Sequence, residues 1–234
     1  VVLAEGLQDY VINRGAKKVF WLPNGPDLEK FSPLSKTTFS NVFTKSNPFK
    51  LVYAGAHGVA NDLGNVIEAA KSLLDYPIKI ILIGDGPEKK DLIYKAKDID
   101  NILFKDPVSK ELIPEILSSA DAILISLGDV KLFQYGISPN KLYDAYALQI
   151  PVVSTLKGSV NNEIHKYQVG IGCEPGSPEL LANSIIKMYK KSYKEREIMG
   201  INGRKLAETI YSRNIINNKY FNLINSLFAN NGKF

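Results

Sequence analysis

Four stretches of this chain are apolar at nearly every position. Phe49 to Gly55, Ile78 to Ile83, Asp121 to Ser126 and Pro151 to Ser154 leave almost no residue suited to a wet face. A strand that is apolar on both sides must be covered on both sides. Between these runs lie segments with helical spacing, such as Asp62 to Leu74, with Leu63, Val66, Ile67, Ala70, Leu73 and Leu74 on one face. Strands and helices in alternation specify an α/β, doubly wound parallel sheet with helices on both faces. Ligands in such sheets bind outside the carboxyl ends of the strands. The loops after Ala54, Ile83, Phe104, Ser126 and Ser154 are therefore the candidate site.

The remaining elements follow the same punctuation. The pattern predicts an amphipathic helix over 1–14, a strand over Lys18 to Leu22, and a turn-rich linker over 26–48 with Pro26, Pro33 and Pro48. It predicts helices over Glu88 to Lys97, Pro114 to Ser119, Pro139 to Leu148 and Ser159 to Tyr167, and short strands over Asn101 to Phe104 and Val169 to Cys173. Ser177-Pro178-Glu179 opens another helix by cap chemistry, with Leu180, Leu181, Ile185, Met188 and Tyr189 inward. Residues 193–228 read as helical, broken near Tyr211 to Arg213.

The net charge of +5 suits an anionic ligand or surface, but the basic residues are dispersed, with no run interleaved with aromatics. That argues against nucleic acid as a partner. One cysteine, Cys173, and two histidines, His57 and His165, exclude a disulfide framework and a Cys- or His-rich metal site. No apolar run spans a bilayer and no signal peptide is visible, so a cytoplasmic location is expected. The first residue is Val1, in what reads as a helix already under way, so a fragment of a longer protein is expected.

The segment Ser138-Pro139-Asn140-Lys141-Leu142-Tyr143-Asp144 concentrates the chemistry. Ser138 can cap a helix and Pro139 can fill its first position. The mouth then presents free N–H groups and a positive dipole end, with Lys141 one turn in and Asp144 three residues further on the same face. A cation and a dipole suit phosphate, and a carboxylate suits sugar hydroxyls. The plain alternative is a solvated pair worth about 0.2–0.5 kcal/mol. Gly55-Ala56-His57-Gly58 lets backbone approach a phosphate, with His57 as a donor, or is a tight turn with an exposed histidine. Gly84-Asp85-Gly86-Pro87 is a partial dinucleotide fingerprint, more simply a turn. Asp98-Ile99-Asp100 has metal-ligand spacing but precedes a strand, which puts it at the wrong sheet edge and reads as a solvated loop. Asn161, Asn162 and Glu163 either reach the sheet edge or cap a short helix, and His165 reads as structural.

Taken in order, several motifs resemble the retaining glycosyltransferases with two facing Rossmann-like domains, the GT-B architecture, of the group 1 or family 4 type. The resemblance rests on Val19-Phe20-Trp21-Leu22-Pro23-Asn24-Gly25 with Asp27 and Phe31-Ser32-Pro33, on Tyr53-Ala54-Gly55-Ala56-His57-Gly58, and on Leu82-Ile83-Gly84-Asp85-Gly86-Pro87. Ala120-Asp121-Ala122 and Ser138 to Ser154 continue it, the latter in the form used by polysaccharide and O-antigen enzymes. It implies one Rossmann-like half of a GT-B fold. Residues 1–47 would be the tail of an acceptor domain plus linker, 48–205 the nucleotide-sugar-binding domain, and 206–234 a helix packing back toward the acceptor domain.

The resemblance further implies a donor site for a nucleotide diphosphate sugar, a UDP-sugar by expectation, with no metal and no cofactor. Lys141 would hold the diphosphate and serve catalysis, joined by Gly55, His57, Gly58 and the Ser138, Pro139 and Asn140 mouth. Asp144 would hold the ribose, and backbone around Asp106 and Val108 would frame the base. The acceptor would be a saccharide or a lipid-linked saccharide, and the missing half could bring peripheral contact with the inner membrane face. Where the family often has Glu-x7-Glu, this chain reads Gly136-x7-Asp144, and the glycine loop lacks the Arg and Lys of many members. The rival readings are a non-catalytic nucleotide-binding or partner-docking module and a sugar-nucleotide epimerase, which two histidines disfavour.

Overall fold

The computed structural model describes residues 1–33 and 48–229. Six strands form one sheet: β1 (Phe49–Ala54), β2 (Ile78–Ile83), β3 (Ile102–Lys105), β4 (Ala122–Ile125), β5 (Val152–Ser154) and β6 (Gly170–Gly172). Their order is β3-β2-β1-β4-β5-β6 and every neighbouring pair is parallel. The nine helices among the described residues are α1 (Leu7–Ile12), α2 (Leu63–Lys71), α3 (Lys89–Lys95), α4 (Ile113–Ser118), α5 (Asn140–Ala147), α6 (Ser159–Lys166), α7 (Pro178–Lys190), α8 (Tyr193–Thr209) and α9 (Arg213–Ala229).

Alternation along each strand divides the core in two. Leu51, Tyr53, Ile80, Leu82 and Leu124 point to the face covered by α2 and α7, where Leu63, Ile67, Ile185 and Met188 meet them. Val52, Ile83, Ile123 and Ile125 point to the other, against Leu142, Tyr146 and Ala147 of α5 and Leu206 of α8. Each fully buried aliphatic side chain contributes about 1.5–3 kcal/mol, so neither face can be exchanged for a polar one. The strand order reverses between β1 and β4, which makes the crevice beyond their carboxyl ends the default ligand position.

Several local expectations change. The helix expected over 1–14 shortens to α1, because Val2 pairs instead with Trp21 as an isolated parallel bridge. Val2 donates to Phe20 O at 2.9 Å and accepts from Leu22 N at 3.0 Å, and the strand expected over 18–22 amounts to this bridge. Leu74 and Leu180, expected inward, are 53% and 46% exposed. Leu74 lies past the end of α2, and Leu180 turns away on the first turn of α7, which Ser177 caps by accepting from Leu180 N at 3.2 Å. Asp98 and Asp100 are, as expected, exposed at the entry to β3, the sheet end away from the crevice. The helical break falls at 210–212, beside the expected Tyr211 to Arg213, and α8 runs through residues 205 and 206. The linker expected over 26–48 lies largely outside the described residues.

Candidate functional site

The crevice is built where β1 ends. Backbone there turns at Gly55, and the Lys141 side chain from the first turn of α5 lies directly on that turn. A Cβ on Gly55 would sit 2.1 Å from Lys141 Nζ, so any side chain there would push the ammonium off the turn. Gly84, at the end of β2, is required on steric grounds: its Cβ would lie 1.9 Å from the backbone oxygen of Gly55. The two glycine turns thus stack backbone on backbone beneath one cation.

Tyr53 forms the floor. Lys141 Nζ donates to Tyr53 Oη at 2.8 Å and lies 4.1 Å from the ring centroid, a cation–π geometry. Tyr53 Oη in turn donates to Ala56 O at 2.6 Å. Burial lowers the Lys141 pKa to about 8 and pushes that of Tyr53 upward. Lys141 has no carboxylate partner in an ion pair among the described residues. A partly buried charge given only a ring and a phenol is poised for an anion.

Above the turns lies a cavity of about 400 Å³, lined by Gly55, Gly84, Val108, Lys110, Lys141 and Asp144, among others. Asp144 is half-buried at its edge. Burial raises its pKa to about 7 against the pull of Arg213 and Lys30.

The structure does not bring every expected residue there. The His57 ring has no exposed surface, so the exposed-histidine alternative is corrected. Its backbone explains why: His57 N donates to Asp85 O at 2.8 Å and His57 O accepts from Glu88 N at 3.0 Å, which folds the ring inward between Tyr53 and Phe104. Both ring nitrogens lack a hydrogen-bond partner among the described residues, and burial, then Lys89, lowers its pKa. Gly58 precedes a short 3-10 turn over Val59–Asn61 and does not line the cavity. Asp106 is exposed on the rim and pairs with Lys89 at 2.9 Å, while Val108 faces the cavity.

The helix mouth is displaced by one residue from expectation. Pro139 is extended (φ −81°, ψ 120°) and occupies the cap position, and Asn140 is the first helical residue. Ser138 does not cap, because its hydroxyl accepts from Asn24 N at 2.9 Å and shares a hydrogen bond with Tyr143 Oη at 3.1 Å. Sequence reasoning gave no role at the site to Tyr53, Lys110 or Asn24, although Tyr53 and Asn24 lie in the motifs that carry the resemblance. A lone tyrosine in an aliphatic strand two residues before a glycine turn was a usable signal for Tyr53. Nothing local marks the other two.

Comparison with known proteins shows the family and the fold. Residues 35–206 match the model of the family described as glycosyl transferases group 1. The chain belongs to that family. Among curated relatives it is 26% identical over 153 residues to N-acetyl-alpha-D-glucosaminyl L-malate synthase of Bacillus anthracis, an alignment covering 64% of this chain and 37% of that one. Among solved structures it superposes on a glycosyltransferase from Rickettsia africae with a TM-score of 0.82 at 13% identity, covering 97% of this chain and 62% of that one. It also superposes on Anabaena HepE in complex with UDP-glucose, with a TM-score of 0.81 at 18% identity, covering 97% and 63%. The likeness to those structures establishes the fold. The chain spans about a third of the length of the curated relatives it matches. No helix among the described residues is long and apolar enough to cross a membrane.

Proposed function

We propose that this chain is the donor-binding part of a glycosyltransferase and holds a nucleotide diphosphate sugar, a UDP-sugar by preference, in the crevice between β1 and β4. The carrying observation is the desolvated Lys141 ammonium laid on the Gly55 turn. In the proposed reaction the bond between the anomeric carbon and the diphosphate oxygen breaks, and negative charge grows on the leaving diphosphate. Lys141 and the free N–H groups of Asn140 and Lys141 at the α5 mouth stabilise that charge without reorganising. The sugar passes to a saccharide or lipid-linked acceptor with retained configuration, and the ammonium takes the place of a metal ion.

Asp144 is suited to the ribose hydroxyls and Val108 to the face of the base. The His57 ring stays behind the turn, so its proposed contribution is to shape the loop from beneath. Residues 1–47 serve as the tail of the acceptor half and the passage to it, 48–205 as the donor domain, and 206–234 as the segment returning toward the acceptor half. Contact with the inner membrane face would come from the part that completes the cleft.

Calorimetry tests the reading. Titration of UDP, GDP and ADP into the chain should give a signal for at least one nucleotide, lost in Lys141→Ala; no signal for any of them sinks it. A non-catalytic nucleotide-binding module is the second reading, and one observation favours it. Gly136 stands where the family often carries a carboxylate, at φ +97° with Ser159 Oγ 2.8 Å from where a Cβ would be, so no side chain fits there. UDP release from donor only on addition of acceptor, in the full-length protein, would decide for transfer.

A further inference from the structure

The turn Pro23-Asn24-Gly25 is far from the cavity in sequence and forms no part of its lining. It nevertheless grips the root of α5. Asn24 N donates to Ser138 Oγ at 2.9 Å, and Asn24 Nδ2 donates to Ser138 O at 3.0 Å. These two bonds hold both the side chain and the main chain of one residue. The neighbouring Gly25 is pressed against the corner between α8 and α9, where a Cβ would lie 1.9 Å from Tyr211 O. Tyr211 stacks on Tyr143 with ring centroids 4.5 Å apart, and Tyr143 closes the circuit at Ser138 Oγ.

Three segments therefore meet at the start of α5: the 23–25 turn, the 210–212 corner and the first helical turn. Ser138 lies three residues before Lys141, less than one helical turn away. Helix α5 has only eight residues, so fixing its root fixes where its first turn points. Electrostatic stabilisation of a leaving group depends on that placement to a fraction of an ångström.

We propose that Asn24 is a positioning residue for the donor site. Its two-point clamp on Ser138 holds the mouth of α5, and with it the Lys141 ammonium, at the height of the Gly55 turn. The inference rests on the donor-binding reading of Lys141. It adds that the passage leading into the domain, and not the domain alone, sets the affinity for the diphosphate.

The test uses calorimetry with UDP and amide hydrogen exchange on the wild-type chain, Asn24→Ala, Asn24→Asp and Ser138→Ala. Either change at Asn24 removes the amide donor to Ser138 O and leaves the backbone donor. Loss of one such bond should weaken UDP binding about two- to tenfold, with faster exchange confined to residues 138–144. If Asn24→Ala does not fold, Asn24→Asp carries the same comparison, and Ser138→Ala removes the other bond of the clamp, the one that Asn24 N donates to Ser138 Oγ. Unchanged UDP affinity in folded Asn24 variants overturns the inference and leaves the donor reading standing. So does faster exchange spread over the whole chain, which marks a general stabilising contact. Absence of UDP binding by the wild-type chain sinks both, and that result is told apart because it precedes any substitution.

Discussion

The two sides of helix α5 carry opposite kinds of polarity. On one side Lys141 and Asp144 face the crevice, each partly buried and neither in an ion pair with the other. On the other side Tyr143 and Tyr146 join Tyr211 around Glu163, where almost every polar atom has a partner. Glu163 accepts from Tyr146 Oη at 3.2 Å and from Tyr211 Oη in a shorter bond. Tyr143 meets Ser138, and its ring lies against Tyr211. A satisfied buried network rigidifies a fold, whereas unsatisfied charge costs stability and is retained where a ligand completes it. One helix thus joins a structural flank to one that, on the donor-binding reading proposed above, is reactive.

The widest separation between the flanks should come from removing the acceptor on the satisfied side. Glu163→Ala leaves two buried phenols without their shared partner, and chemical denaturation should register a loss of about 2–4 kcal/mol. UDP affinity should change far less than stability does. A loss below about 1 kcal/mol would mean that solvent reaches these hydroxyls.

The reactive flank should respond with the opposite sign. Lys141→Met removes a desolvated charge while keeping the stem that packs on Tyr53, so it should raise stability by about 1–3 kcal/mol while abolishing nucleotide binding. The sign follows from linkage. The folded pKa, near 8, lies below the unfolded value of 10.5, so the unfolded chain holds more protons between those values. The penalty is therefore complete below about pH 8 and fades as pH rises to about 10.5, and the advantage of Lys141→Met should fade with it. For the same reason, UDP affinity of the wild type should begin to fall above about pH 8 as the ammonium deprotonates. A pH-independent stability difference between the two proteins would contradict the burial of this lysine.

These flanks were unequally legible in the sequence. The sheet could be read because strands such as Ile78 to Ile83 have no wet side, and burial on both faces leaves one architecture. The reactive flank could be read because Ser138-Pro139 announces a helix start and Lys141 and Asp144 fall within one turn of it. The satisfied flank could not. Asn24 and Ser138 are 114 residues apart, and Glu163 finds Tyr211 across 48. No local period or cap encodes such pairings. His57 shows the same limit within a single loop: its direction is set by hydrogen bonds to Asp85 and Glu88 from the next loop, so its neighbours in sequence do not decide whether it faces solvent.

Asp144 offers a smaller effect on the reactive flank. Its folded pKa, about 7, lies above the unfolded 3.8, so the folded chain holds the extra proton between those values. Stability should therefore fall as pH rises from about 4 to 7, and Asp144→Asn should flatten that slope. At pH 7.5 the variant should be about 1–2 kcal/mol more stable than the wild type, and at pH 4 the two should coincide. Thermal unfolding at both pH values measures it; equal gains at both would point to packing instead of charge.

Tyr143→Phe probes the boundary between the flanks and should have the smallest effect. It deletes only the hydroxyl that meets Ser138 Oγ at 3.1 Å and keeps the ring that stacks on Tyr211. Ser138 Oγ retains Asn24 N as its donor, so no buried group is orphaned. The cost should be about 0.5–1 kcal/mol by urea denaturation, with an unchanged dependence on denaturant concentration. A loss as large as that of Glu163→Ala would mean that the hydroxyl, and not the ring stack, ties the helix root to the α8–α9 corner. The two sides of α5 would then be one cooperative network, and separating a structural flank from a reactive one would no longer describe the helix.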